Sequence, residues 1–177
     1  EDLVVADLFD YGAVESRLAG FDACFFCLGV SSVGKTEAEY RRVSYDLPLA
    51  AATVLARLNP QMTFTFVTGR GCDSTERGSI MWARVKGAAE NALVKLPFKG
   101  AYMFRPGVIQ PMHRVRSKTA LYQAAYTIAG PLLGLLARTS PNWMTTSEKL
   151  GRAMLVVARR GAPSPLVESA DINRLGA

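Results

Sequence analysis

Apolar and polar positions follow two different spacings along this chain. Leu3–Ala6, residues 23–28 (ACFFCL), 63–68 (TFTFVT) and 101–105 (AYMFR) are short runs rich in aromatic and β-branched residues, which predicts buried strands. Between them apolar residues return every three or four positions, the spacing of a helix with one buried stripe. Tyr40, Val43, Leu47, Ala51, Val54 and Leu58 mark the first helix; Thr36 with Glu39 gives it a capping box, Pro48 should kink it, and Asn59-Pro60 ends it. A second runs from about Ser79 to Leu96, with Trp82, Val85, Ala89, Leu93 and Leu96 on its stripe. In a third, Thr145 and Glu148 form a capping box, Leu150, Ala153, Met154 and Val157 form the stripe, and Arg159-Arg160-Gly161 closes it. The last residues, PLVESADINRLGA, read as a short strand and a terminal turn.

Strands alternating with helices predict an α/β fold, a mostly parallel sheet with helices on both faces, in one domain spanning 1–177. Composition agrees: 49% apolar and 20% charged residues suit a globular chain with a sizeable core and exclude a disordered one. The net charge of +6 changes little, because the cations are scattered and only Arg114, Arg116 and Lys118 form a short patch. No nucleic-acid partner is therefore expected. Three cysteines make no disulfide framework, which points to a reducing, cytoplasmic setting. Cys24 and Cys27 lie three apart in a strand and so face opposite ways, and His113 is the chain's one histidine, so no metal site is expected. Residues 119–137 carry no charge, but Gln123 and Gly130-Pro131 interrupt them, which favours a bent, buried or dimer-facing helix pair over a membrane span.

One short motif demands a test. GVSSVGKT, residues 29–36, matches GxxxxGK[ST], the loop that cradles nucleotide phosphates at a helix N-terminus. Its surroundings disagree. Glu37 and Glu39 stand in the first helical turn, where they would repel the phosphates. The apolar strand ending in an aspartate that should help hold magnesium is Leu3–Asp7, ahead of the loop and not after it.

A longer series of motifs gives a second reading. DLVVADLFDYGAVESRLAGFDACFFCLG resembles strands three and four of the short-chain dehydrogenase/reductases, and EAEYRRVSYDLPLAAATVLA resembles the long helix that follows. TFVTGRGCDS is similar to the strand carrying the family's catalytic hydroxyl, WARVKGAAENAL to its YxxxK helix, and MFRPGVI to its Arg-Pro-Gly stretch. The likeness is strongest to the atypical branch with the Tat-interacting-protein-like oxidoreductases and the bacterial NAD-dependent epimerase-like proteins.

The resemblance implies a Rossmann-like, doubly wound sheet and an NAD or NADP cofactor. It also implies roles: Asp7 and Leu8 at the adenine, Leu28, Gly29 and Val30 beneath the adenosine and ribose, and Lys35 on a phosphate or the substrate. Thr68 takes the catalytic hydroxyl's place, with Gly69 and Ser74 as alternatives; Lys86 holds the nicotinamide ribose, and Arg105, Pro106, Gly107 and Val108 line the nicotinamide side. The implied partners are a small carbonyl or alcohol substrate, an anionic one included, and a second copy of the chain.

Two departures qualify this. The GxxGxxG fingerprint is absent because the chain opens at the equivalent of strand three, so a preceding βαβ unit is expected and cofactor binding without it should be weak or absent. The tyrosine of YxxxK is Trp82, and an indole N–H donates a hydrogen bond without cycling a proton. Two other functions thus stay beside an oxidoreductase or epimerase using Lys86, Thr68 and Trp82: a non-catalytic cofactor-sensing or scaffolding protein, and a phosphotransferase using GVSSVGKT.

Overall fold

The computed structural model describes residues 2–112 and 143–177. Four parallel strands form the main sheet in the order β1 (Ala23–Phe26), β2 (Thr63–Val67), β3 (Gly100–Arg105) and β6 (Leu166–Glu168). A second, two-stranded sheet pairs β4 (Val108–Gln110) with β5 (Met144–Thr146). The helices are α1 (Glu37–Arg41), α2 (Leu47–Leu58), α3 (Met81–Val94), α4 (Ser147–Arg160) and α5 (Ser169–Leu175). This is the α/β architecture that the alternating pattern predicts, and it is Rossmann-like as the resemblance implies.

Strand alternation separates two cores. Phe64, Phe66 and Met103 face Ala52 of α2 and Ala89 and Leu93 of α3. Phe26 meets Phe66 edge-on at 5.6 Å and Phe98 stacks on Phe64 at 5.1 Å. Phe104 and Val167 face the other way, against Leu150, Ala153, Met154 and Val157 of α4 and Ile172 of α5. The sheet is therefore covered on both faces. Phe64, Phe66 and Phe104 are almost completely buried, and each contributes about 1.5–3 kcal/mol from apolar surface removed from water.

Several local expectations change. Residues 3–6 form no strand. In a 3-2-1-4 order a third strand reaches the fourth only through two others, and among the described residues no strand pairs with the outer edge of β1. Leu3–Ala6 therefore has no ladder to join. Pro48 sits in the first turn of α2, where its missing N–H costs nothing, and the irregularity lies just upstream as a π-helical turn, Arg42–Asp46. The cap of α4 is Thr146, whose hydroxyl accepts from Lys149 N; Thr145 belongs to β5 instead. The second helix is shorter than its stripe suggests, and the C-terminal turn is a helix, α5. The capping box of Thr36 and Glu39 forms as read, and Asn59 ends α2 while its side chain holds Gly20 N and Leu18 O. His113, the Arg114–Lys118 patch and residues 119–137 lie outside the described residues.

Candidate functional site

Parallel strands bring β1, β2 and β3 to one rim of the sheet with their carboxyl ends side by side. Leu28, Gly29 and Val30 follow β1 and are exposed there; Thr68–Gly71 follow β2, and Pro106-Gly107 follow β3. In open α/β sheets ligands bind along this rim. Of the residues that the sequence singles out, Trp82, Pro106, Gly107 and Val108 line one cleft at this rim, while Leu28, Gly29, Val30, Thr68 and Lys86 lie outside its lining.

Lys86 reaches the rim from α3. Its ammonium donates to the Thr68 carbonyl at 2.7 Å, which leaves its other N–H groups for another acceptor. Burial pulls its pKa below the ordinary lysine value, while the neighbouring Cys72 and Glu90 push the other way. The Cys72 thiol beside it is pushed up to about 12, first by burial and then by Glu90. Cys72 is thus a neutral, buried packing group.

The Thr68 hydroxyl is already engaged. It lies 2.5 Å from Glu90 Oε1 and 3.1 Å from the Phe104 carbonyl, and its single proton goes to the nearer carboxylate. Glu90 also receives Arg105, through Nε at 3.1 Å to each oxygen and through a closer contact from Nη2. Both partners of this ion pair are buried. Arg105 Nη2 further donates to Ser74 Oγ at 2.7 Å. Arg105 therefore faces inward, tying β3 to α3 and to the loop after β2. Glu90 is one residue that sequence reading missed, although a signal was present: Trp82, Lys86 and Glu90 recur at four-residue spacing on one face of α3.

At this rim a cleft of about 460 Å³ opens between Gly69–Gly71, Trp82, residues 106–108 and Trp143; Lys86 follows Trp82 by one turn of α3 and is not part of its lining. Gly71 has φ +87°, and a Cβ there would stand 3.6 Å from Trp82 Cη2. At Gly107 a Cβ would lie 2.2 Å from the Trp143 carbonyl, so only glycine permits this approach, which the Val108 N to Trp143 O bond at 2.8 Å closes. The Arg70 guanidinium stands 4.0 Å over the Trp143 ring. Arg70 and Trp143 also escaped sequence reading, since neither belongs to a periodic stripe.

The remaining candidates stand apart from this cleft. Asp7 is exposed and its carboxylate accepts from Phe9 N at 2.9 Å, so it closes a turn; Leu8 is exposed beside it. Lys35 is exposed in the loop before α1. There the Thr36 N–H donates to Glu39 Oε2 at 2.8 Å, so a carboxylate already occupies the place where the GVSSVGKT reading puts a phosphate. Glu39 is held below its ordinary pKa by those Thr36 hydrogen bonds. Among the described residues no three His, Cys, Asp or Glu side chains gather as a metal site requires, and no helix is long and apolar enough to cross a membrane.

No protein-family profile matches the chain. Over 97 residues it is 32% identical to the leucinostatins biosynthesis cluster protein T of Purpureocillium lilacinum. That stretch covers 54% of this chain and 35% of the relative, so the chain spans about a third of the protein it matches.

Proposed function

We propose that the rim cleft receives the nicotinamide and ribose of NAD or NADP, and that the protein is an oxidoreductase of the short-chain dehydrogenase/reductase type acting on a small carbonyl or alcohol. The observation that carries this is Lys86, a half-buried ammonium of lowered pKa held at the carboxyl end of β2 by the Thr68 carbonyl. Gly69, Gly71 and Gly107 leave the floor of the cleft free of side chains, which suits the close approach of a flat ring. The cofactor, when bound, supplies the hydride.

The chain's own residues then hold and polarise. Lys86 donates its free N–H groups to the ribose hydroxyls or the substrate oxygen, and the charge stabilises negative charge developing on that oxygen. Thr68 positions Lys86 through its carbonyl while its hydroxyl stays on Glu90. Trp82 contributes a ring wall and one N–H donor. The proton that a reduced oxygen needs comes from Lys86 and is replaced from solvent.

A specific observation favours a second reading, a cofactor-binding protein without turnover: neither the indole of Trp82 nor the engaged hydroxyl of Thr68 is a proton-cycling phenol. Turnover of small aldehydes and ketones with NADPH separates the two. The oxidoreductase reading predicts activity in the protein as it stands and a loss of roughly 100-fold or more in Lys86→Met. Cofactor binding without turnover, with activity appearing only in Trp82→Tyr, supports the second reading and overturns the first. If ATP binds and Lys35→Ala abolishes it while NADPH does not bind, both give way to the phosphotransferase.

A further inference from the structure

At the opposite edge of the sheet, where β2 and β3 begin, lies a second pocket that the proposed function does not use. It holds about 160 Å³, roughly the liquid volume of five waters at ~30 Å³ each, and is lined by Thr63, Lys99, Gly100, Tyr102 and residues 158–161. Three of its side chains are cations, Lys99, Arg159 and Arg160, and no acidic side chain lines it.

All three are exposed, and none has an ion-pair partner among the described residues. The Tyr102 hydroxyl likewise has no hydrogen-bond partner there. Its position is fixed by two glycines. A Cβ at Gly161 would stand 2.8 Å from that oxygen and one at Gly100 3.0 Å, so any side chain at either position would press on the phenol. Gly161 has φ +72°, a conformation that L side chains rarely adopt, so the cradle depends on glycine twice over.

The simpler account of Arg159 and Arg160 is compensation of the α4 dipole at its C-terminus. That dipole amounts to about half an elementary charge. Two of the terminal carbonyls are also already satisfied, Val157 O by Gly161 N and Ala158 O by the Thr63 hydroxyl at 3.3 Å. Three full positive charges around one small polar pocket exceed what the helix end requires. Two guanidinium forks, an ammonium and a phenol O–H are a donor set with the charge and hydrogen-bonding chemistry for a tetrahedral oxyanion.

The geometry points to a phosphate-binding site formed by Lys99, Tyr102, Arg159 and Arg160 at the amino-terminal edge of the sheet. Its ligand is a phosphate group, free or as the terminal group of a small monoester.

Titration of the ¹⁵N-labelled chain with inorganic phosphate, against sodium chloride of equal ionic strength, tests this. Saturable shifts at the Gly100, Tyr102 and Gly161 amides are expected. Arg159→Gln/Arg160→Gln should weaken half-saturation by at least roughly 10-fold, the loss of a charge-assisted bond. Tyr102→Phe, which keeps the ring packing, should weaken it several-fold with an unchanged melting temperature. Glycerol phosphate distinguishes the sources: equal or tighter binding means a monoester's terminal group, weaker binding means the free ion, and either supports the site. Shifts that do not saturate, that chloride reproduces, or that persist in the double variant overturn it.

Discussion

Glu90 and Arg105 set the site at the residue scale. Each is buried, and each satisfies the other while holding a second group, Thr68 for Glu90 and Ser74 for Arg105. Breaking such a pair leaves an uncompensated charge in a poorly polar interior, so Glu90→Gln should lower stability by about 3–5 kcal/mol in urea unfolding. Replacing both together, Glu90→Leu with Arg105→Met, should recover most of that loss. A Glu90→Gln variant of unchanged stability would show the pair to be idle. The cysteines give a pH prediction. Burial pushes the Cys24 and Cys72 thiols up to about 12, well above an ordinary thiol. The unfolded chain therefore releases those protons first, and stability should fall as pH rises from about 9 towards 12. Cys24→Ala should make that decline shallower. At mildly alkaline pH mass spectrometry should find Cys27, the exposed one, alkylated ahead of both.

At the scale of elements, the contact of α3 with the loop after β2 is what brings Lys86 to the Thr68 carbonyl. Gly87 permits it. A Cβ there would lie 1.8 Å from the Asp73 carbonyl, and Asp73 N also bonds the Ala83 carbonyl at 2.9 Å. Asp73 organises the loop in turn, its carboxylate accepting from the amides of Thr75, Arg77 and Gly78, and these bonds with the Thr75 hydroxyl hold its pKa below the usual range. Gly87→Ala should push the loop off the helix, lower the melting temperature and weaken whatever the cleft binds. A variant with wild-type stability and NADPH affinity would remove this contact from the account. The elements themselves were largely legible. The strands at β1, β2 and β3 and the stripes of α2, α3 and α4 follow from aromatic runs and from three- and four-residue spacing, because burial of one face decides both. Leu3–Ala6 misled for a physical reason: an apolar run becomes a strand only if a neighbour supplies a ladder. Pro48 misled because a proline in the first turn of a helix breaks no bond.

The whole molecule is a parallel sheet with two unlike edges. At the carboxyl edge stand the glycines, the two tryptophans and Lys86; at the amino edge stand the unpaired cations around Tyr102. Sequence motifs located Trp82, Lys86 and Gly107 of the first group, on the helix and strand end that carry them, but not Trp143. The second was not visible, since Lys99 and Tyr102 at the start of β3 and Arg159 and Arg160 at the end of α4 lie far apart in sequence and only the packing of these elements unites them. In and around β1, Phe21, Phe25, Leu28 and Val30 are exposed, and the strand's outer N–H and C=O groups offer a template for a further strand. The central claim concerns the carboxyl edge, and the chain carries its own probe, because Trp82 and Trp143 both border the cleft and are its only tryptophans. Tryptophan emission followed during titration with NADPH is the most direct measurement. The account predicts saturable quenching with transfer to the reduced nicotinamide, greatly weakened in Lys86→Met. Emission that does not respond, or that responds equally in Lys86→Met, would contradict it.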